Sequence, residues 1–367
     1  AFPGQNVFYI FLRNSEAKPR YLDDSIPYRF IPGEIDDENN PYVQHEHARV
    51  IVFHGFSPRY VRIVEKYKGS GIQFVWCTFG GEFYTNPNIY DSNKLYGKKT
   101  RKKFTFNGKF KGKLRRNKNI RKLYFKLLNK TDRYELVREA LQEIDFVATV
   151  FDEQFQLFRN EGAIASKARH IKYSYYPLGL IIEKKVSPIT SNNILIGNSA
   201  SATNNHLEVF EKLRAFQLSD REVIVPLSYG NRAYGRSICE VGETLFQSNF
   251  RAIREFLPLK EYHTTIRSCS VVLMNHYRQQ AAGNIWNALY VGAKVYLSEK
   301  NILFRYFKRI GCHVFSIEAE LCPSNESALE GITPEQAEEN KRIVTGTIEL
   351  DTICRNLKQN LSPFVCR

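Results

Sequence analysis

Residues 275–286 read Asn-His-Tyr-Arg-Gln-Gln-Ala-Ala-Gly-Asn-Ile-Trp. Arg278, Gln279, Gln280, Gly283 and Asn284 make this a polar loop between an apolar run, Ser270 to Met274, and a helix-like stretch, Ile285 to Val291. Such a loop suits a phosphate, because unpaired helix N–H groups, the positive end of the helix dipole and a guanidinium fork converge in it. An ordinary strand–helix turn with an Asn N-cap accounts for the same residues. A second loop, Gly197-Asn198-Ser199-Ala200-Ser201, follows the run Asn193 to Ile196. Its small residues could bring backbone N–H groups to a diphosphate, although it is neither a Walker loop nor a GxGxxG fingerprint. A plain turn explains it as well. Two such loops at the carboxyl edge of one sheet point to a nucleotide diphosphate.

Two further positions carry titratable groups. His54 ends the run Arg49 to Phe53, and Glu82 follows Gly80-Gly81 after the run Ile72 to Cys77. His54 is a general base or a turn cap, and Glu82 a base or a solvated loop acid. Their shared place beyond the carboxyl ends of strands favours function, since ligands of open α/β sheets bind there. No metal constellation and no DxD are visible, and Asp23-Asp24 and Asp36-Asp37 read as solvated loop acids.

Strands alternating with helices must position these groups. Ser57 and Pro58 start a helix-like stretch over 59–67 between the runs ending at His54 and Cys77, a β-α-β unit of a doubly wound sheet. Residues 26–31 read as an edge strand. The pattern restarts at 194, with apolar Leu207, Phe210, Leu213 and Phe216 on one helical face. Gly292 stands where a C′ glycine ends the helix after the opening loop, and 335–354 reads as helical. The expected organisation is an acceptor-side domain over 1–182, a linker over 183–193, a nucleotide-binding domain over 194–345, and a segment 346–367 packing back on the first domain.

With 367 residues and 43% hydrophobic content, the chain can bury two cores, and disorder is excluded for most of it. No run approaches the ~20 apolar residues of a membrane span. No signal peptide is visible, and the single Met is Met274, so the natural chain is expected to begin upstream of Ala1. Seven scattered cysteines without a CxxC pair fit reduced thiols better than disulfides or a zinc site. Cys77 and Cys269 are expected to be buried.

The net charge of +15 sits in one segment. Residues 92–131 hold sixteen of the 53 basic residues and no acid, which leaves 37 basic against 38 acidic residues elsewhere. Phe104, Phe106, Phe110 and Leu123 to Leu128 are interleaved with the charges. A solvated face, a nucleic-acid site and an anionic membrane surface are all compatible with this pattern. No nucleic-acid motif accompanies it.

Together these residues resemble the TDP-N-acetylfucosamine:lipid II N-acetylfucosaminyltransferases, glycosyltransferase family 56. The matching pieces are Phe53-His54-Gly55 with Pro58, Trp76 with Gly80-Gly81-Glu82-Phe83-Tyr84, Tyr176-Pro177, Ile196-Gly197-Asn198-Ser199, Val225-Pro226-Leu227-Ser228-Tyr229, and Arg278-Gln279-Gln280 with Gly283. They fall in the family's order over roughly 50–300. The chain departs in lacking the first strand and its loop before Phe2, in Glu82 where Asp is usual, and in a more cationic 92–131.

The resemblance implies a GT-B architecture, α/β with two Rossmann-like doubly wound domains facing across a cleft. It implies transfer of an acetamido-deoxy sugar from a TDP-sugar co-substrate to a polyprenyl-diphosphate-linked glycan, in bacterial surface polysaccharide synthesis. The enzyme would be peripheral, at the cytoplasmic face of the inner membrane, and would use neither metal nor cofactor. Arg278, Gln279, Gln280, Gly283 and Asn284, with Gly197, Asn198 and Ser199, would hold the donor diphosphate, and Tyr229 its base or ribose. His54 or Glu82 would deprotonate the acceptor. Lys102, Lys103, Phe104, Arg115 and Arg116 would face acceptor and anionic membrane, with no nucleic acid as partner. Two alternatives stay open: the same fold with a UDP- or GDP-sugar, such as a fucosyltransferase, and a non-enzymatic RNA- or glycan-binding protein.

Overall fold

Among the described residues, twelve short strands, all paired in parallel, form the sheets. The structure is a computed structural model that describes Phe2, Asn6 and residues 8–12, 28–32, 48–105, 118–175, 177–181 and 189–365. Arg115, Arg116, Tyr176, the linker positions 183–188 and the acids at 23, 24, 36 and 37 lie outside the described residues.

β1 (Phe8–Leu12) and β2 (Tyr28–Pro32) form a separate two-stranded sheet. The expected edge strand is therefore real but does not edge the main sheet. That sheet is β3 (Val50–His54), β4 (Gln73–Cys77), β5 (Phe146–Ala148) and β6 (Arg169–Ile171), side by side in chain order. One face packs on Phe83, Tyr84, Phe158 and Leu141 through Trp76 and Phe74. The other packs on the last helix, Leu350–Val365, where Leu361 meets Val75, Cys77, Phe146, Ala148 and Ile171.

The second sheet comprises β7 (Asn193–Ile196), β8 (Val223–Pro226), β9 (Phe250–Ile253), β10 (Cys269–Met274), β11 (Lys294–Leu297) and β12 (Val314–Ser316). Its order is β12-β11-β10-β7-β8-β9. The order reverses between β7 and β10, so the crevice beyond their carboxyl ends is the topological switch point. Every residue of β8, β10 and β11 is buried, because helices cover both faces.

Local sequence sets the helix ends. Asn231 caps the helix Arg232–Phe246, its side chain accepting from the Tyr234 N–H. Thr333 and Gln336 form a capping box with Pro334 behind it. The helix expected over 335–354 is two helices, Pro334–Ile348 and Leu350–Val365, because Glu349 is extended at φ −61°, ψ 141°.

Aromatic and ionic contacts tie the domains together. Phe151, after β5, stacks against Trp286 at 6.4 Å, and Arg309 donates to Glu153 at 2.7 Å and to Asp152 at 2.6 Å. Residues 95–104 also cross over. Asn205 donates to the Leu95 carbonyl and accepts from the Gly97 N–H, while Glu208 accepts from Thr100 N–H and hydroxyl.

Candidate active site

The two loops at the switch point are bound to each other. His276, fully buried after β10, donates from Nε2 to the side-chain oxygens of Asn204 at 2.8 Å and Asn198 at 3.1 Å. Burial, the Arg278 charge and His206 hold its pKa well below the usual value, so the ring is neutral with its proton on Nε2. Burial pushes neighbouring His206 down to about 3. The Asn198 side-chain oxygen also accepts from Gln280 at 3.1 Å, and its amide nitrogen donates to the Tyr229 hydroxyl at 2.6 Å. The Gln280 oxygen accepts from Thr203 at 2.7 Å. A side chain at Gly197 (φ +67°) would stand 2.6 Å from the Asn204 oxygen and 2.7 Å from His206 Nε2. Glycine is therefore required for the loop to close on this amide network.

These bonds divide the residues expected to bind a donor. Asn198 and Gln280 spend their side chains on one another and hold Tyr229. Ser199 is buried and accepts from Asn204 at 3.2 Å, away from the cavity. Arg278, Gln279 and the helix start are left facing outward. That helix spans Ala282–Tyr290 and not 285–291, so Asn284 lies inside it and donates to Tyr262 instead of capping. Its N-cap is Ala281, left-handed at φ 57° and without a capping side chain. A non-glycine residue there costs about 1–2 kcal/mol. The first-turn N–H groups have no partners within the helix, and they border a cavity of about 380 Å³ lined by Arg278 to Asn284.

The opposite wall of this cavity belongs to the first domain. Thr78 and Phe79 follow β4, Thr149 to Phe151 and Gln154 follow β5, and Tyr173 to Tyr175 follow β6. The carboxyl edges of the two sheets thus face each other across it. His54 and Glu82 do not line it. His54 is exposed at the end of β3, with Nδ1 3.2 Å from the Tyr175 hydroxyl, which also reaches the Cys77 carbonyl at 3.2 Å. Packing lowers the His54 pKa. Glu82 accepts through one oxygen from the Trp76 indole at 3.0 Å and the Phe79 N–H at 2.9 Å, and burial raises its pKa. It holds its own loop together.

A larger cavity, about 1040 Å³, shares Arg278 in its lining with the smaller one. It is lined by Tyr84, Arg121, Lys130, Arg133, Ser201 and Thr203 among others. Asp132 in its wall is paired with Arg121 at 2.5 Å. The Gln279 N–H points at the Tyr84 hydroxyl at 3.4 Å, and the Arg278 guanidinium lies 5.7 Å from the Tyr84 ring, so Tyr84 joins the domains at this point.

The basic segment splits in two. Lys102 and Lys103 are exposed, but Phe104 turns inward onto Tyr234 of the second domain at 4.6 Å. Partly buried, it packs against the second-domain core, because residues 95–104 are anchored on the helix His206–Leu213. The helix Lys118–Leu127 instead leaves Ile120, Leu123, Tyr124 and Leu127 exposed, Leu127 by 75%.

Several site residues carry no sequence signal of their own. His276 sits within the opening motif but reads as a loop histidine, and Gln154 reads as one polar residue of a helix. Tyr175 is one of several tyrosines in a row.

Solved structures share this arrangement. A glycosyltransferase from Rickettsia africae aligns over 93% of this chain and 85% of its own, at 11% identity and a TM-score of 0.60. Anabaena HepE in complex with UDP and glucose aligns over 92% and 86%, at 12% identity and a TM-score of 0.60. An E. coli structure described as trehalose-6-phosphate bound with UDP-2-fluoro glucose aligns over 98% and 92%, at 10% identity and a TM-score of 0.60. At these identities the likeness establishes the fold, a GT-B arrangement of two Rossmann-like domains. The family model described as 4-alpha-L-fucosyltransferase glycosyl transferase group 56 matches residues 121–325, more than half of the chain. The chain therefore belongs to glycosyltransferase group 56.

Proposed function

We propose that this glycosyltransferase moves an acetamido-deoxy sugar from a TDP-sugar to a polyprenyl-diphosphate-linked glycan at the cytoplasmic face of a bacterial inner membrane. The observation that carries the reading is the helix start at Ala281–Asn284, uncapped, beside Arg278 and at the switch point. Sugar transfer needs the negative charge growing on the leaving diphosphate to be neutralised. Fixed N–H donors and a guanidinium do this without a metal. Burial lowers the Arg278 pKa, but an arginine stays charged. Of the two candidate bases, His54 reaches the cavity wall through Tyr175, and its lowered pKa keeps it neutral at physiological pH.

The acceptor would enter through the larger cavity, whose cations Lys130 and Arg133 suit an anionic head group. The exposed apolar residues of 118–127 and the flanking lysines suit an anionic membrane, at about 1 kcal/mol per basic residue near the surface. Among the described residues no helix is long and apolar enough to cross a membrane. Co-sedimentation with anionic but not neutral vesicles is expected, and equal binding to both would remove the membrane role.

A UDP-sugar donor is the second reading, favoured by the UDP and UDP-2-fluoro glucose named for HepE and the E. coli structure. Thermal shifts with TDP, UDP and GDP decide between them. The largest shift is expected with TDP, and no shift with any would remove the donor site.

A further inference from the structure

The first-domain wall of the smaller cavity carries two buried polar atoms without protein partners. They are the Thr78 hydroxyl and the Gln154 amide nitrogen. Thr78 is 8% exposed and Gln154 1% exposed, and both line the cavity. The Gln154 amide is not free to turn. Its oxygen accepts from the Thr149 hydroxyl at 2.7 Å, and this sets Nε2 as the group that faces away. A buried donor held in one orientation and left unmatched is costly unless something arrives to accept from it.

Gly80 stands next to this donor. Its φ of +85° suits glycine, and a Cβ there would stand 3.6 Å from Gln154 Nε2 and 3.0 Å from the side-chain oxygen of Gln279. The bare backbone lets an amide donor of one domain and an amide acceptor of the other approach the same spot. The Arg278 Nε, likewise buried and unpartnered, belongs to the same cavity.

We propose that Thr78 and Gln154 form a recognition subsite for the pyranose ring of the nucleotide sugar, completed by Gln279 from the other wall. A sugar ring carries hydroxyl and amide groups that offer donors and acceptors together, and the subsite presents both. The diphosphate end rests on Arg278 and the helix start, so the subsite reads the sugar and the second domain reads the nucleotide. This deepens the transferase reading and rests on it.

The test compares binding of a nucleotide sugar with that of its nucleotide alone, using whichever of TDP, UDP and GDP the wild type binds best. Gln154→Met keeps the length of the side chain and removes the donor, and Thr78→Val keeps the shape and removes the hydroxyl. Each variant is expected to bind the nucleotide sugar about tenfold more weakly, as loss of a buried partner predicts. Binding of the free nucleotide and KM for the acceptor should stay at wild-type values. Thr149→Val, which releases the Gln154 amide, should give a smaller loss in the same direction. Equal weakening of nucleotide and nucleotide sugar, or no weakening of either, would overturn the subsite while leaving the transferase reading intact. A wild type that binds no nucleotide would overturn both.

Discussion

The two walls of the cleft are built on different principles. The second-domain wall is a mesh of uncharged amides and neutral imidazole, in which Asn198, Asn204, Gln280 and the His276 Nε2 bond to one another while the His276 Nδ1 and Arg278 Nε stay without partners. Its outward donors are backbone N–H groups and one guanidinium. The first-domain wall is aromatic, with Phe79 stacked on Tyr175 at 4.5 Å, and it carries titratable groups at its margin and unpaired polar atoms in its face. A rigid wall with preset dipoles stabilises charge without reorganising. A wall with a histidine near its surface can move a proton. On the proposed reading, charge neutralisation falls to one domain and sugar recognition with proton transfer to the other.

The largest effect expected from breaking this division is at Arg278. Arg278→Ala should lower kcat about 10²–10³-fold, as removal of a transition-state charge partner does, with an unchanged melting temperature. An active variant would move the diphosphate clamp elsewhere.

A smaller effect is expected on the first wall. His54→Ala should cost about 10²-fold in kcat. The folded pKa of His54 lies below 6.5, so the wild-type kcat/KM should fall only on the acid side of pH 6.5, where the ring gains a proton. That limb should vanish in His54→Ala. Glu82→Gln, which keeps an oxygen for the Trp76 and Phe79 bonds, should stay near wild type. If instead Glu82→Gln loses the activity and His54→Ala does not, the base assignment reverses.

The smallest effect is on the mesh itself. Asn198→Ala removes an acceptor from His276 and Gln280 and releases Tyr229. It should lower stability by about 1–3 kcal/mol in denaturant unfolding. A variant as stable as wild type would show that the second wall is not preset by this residue.

The loops at 197–199 and 278–284 were legible because a buried strand, a polar turn and a helix start follow one another in sequence. Parallel β-α alternation then puts both at carboxyl edges. The contact of Phe104 with Tyr234 was not legible for a related reason. Charge density and aromatic spacing describe a segment, but not which surface it lands on. The bonds of Thr100 to Glu208 and of Gly97 to Asn205 join residues 108 apart in sequence. They anchor 95–104 on the second domain, while 118–127 stays exposed.

By itself, then, the sequence determined two Rossmann-like halves, the switch-point loops of the second, and an arginine and a glycine-bearing helix start at one of them. Each of these follows from periodicity and turn chemistry over a few adjacent residues. Only the tertiary structure decided which side chains face the cleft. It turned Asn198 and Gln280 inward on each other, set His54 behind Tyr175, and left Gln154 and Thr78 unmatched. Hydrogen-bond satisfaction is a property of neighbours in space, and here those neighbours lie 82 residues apart for Asn198 and Gln280 and 121 apart for His54 and Tyr175.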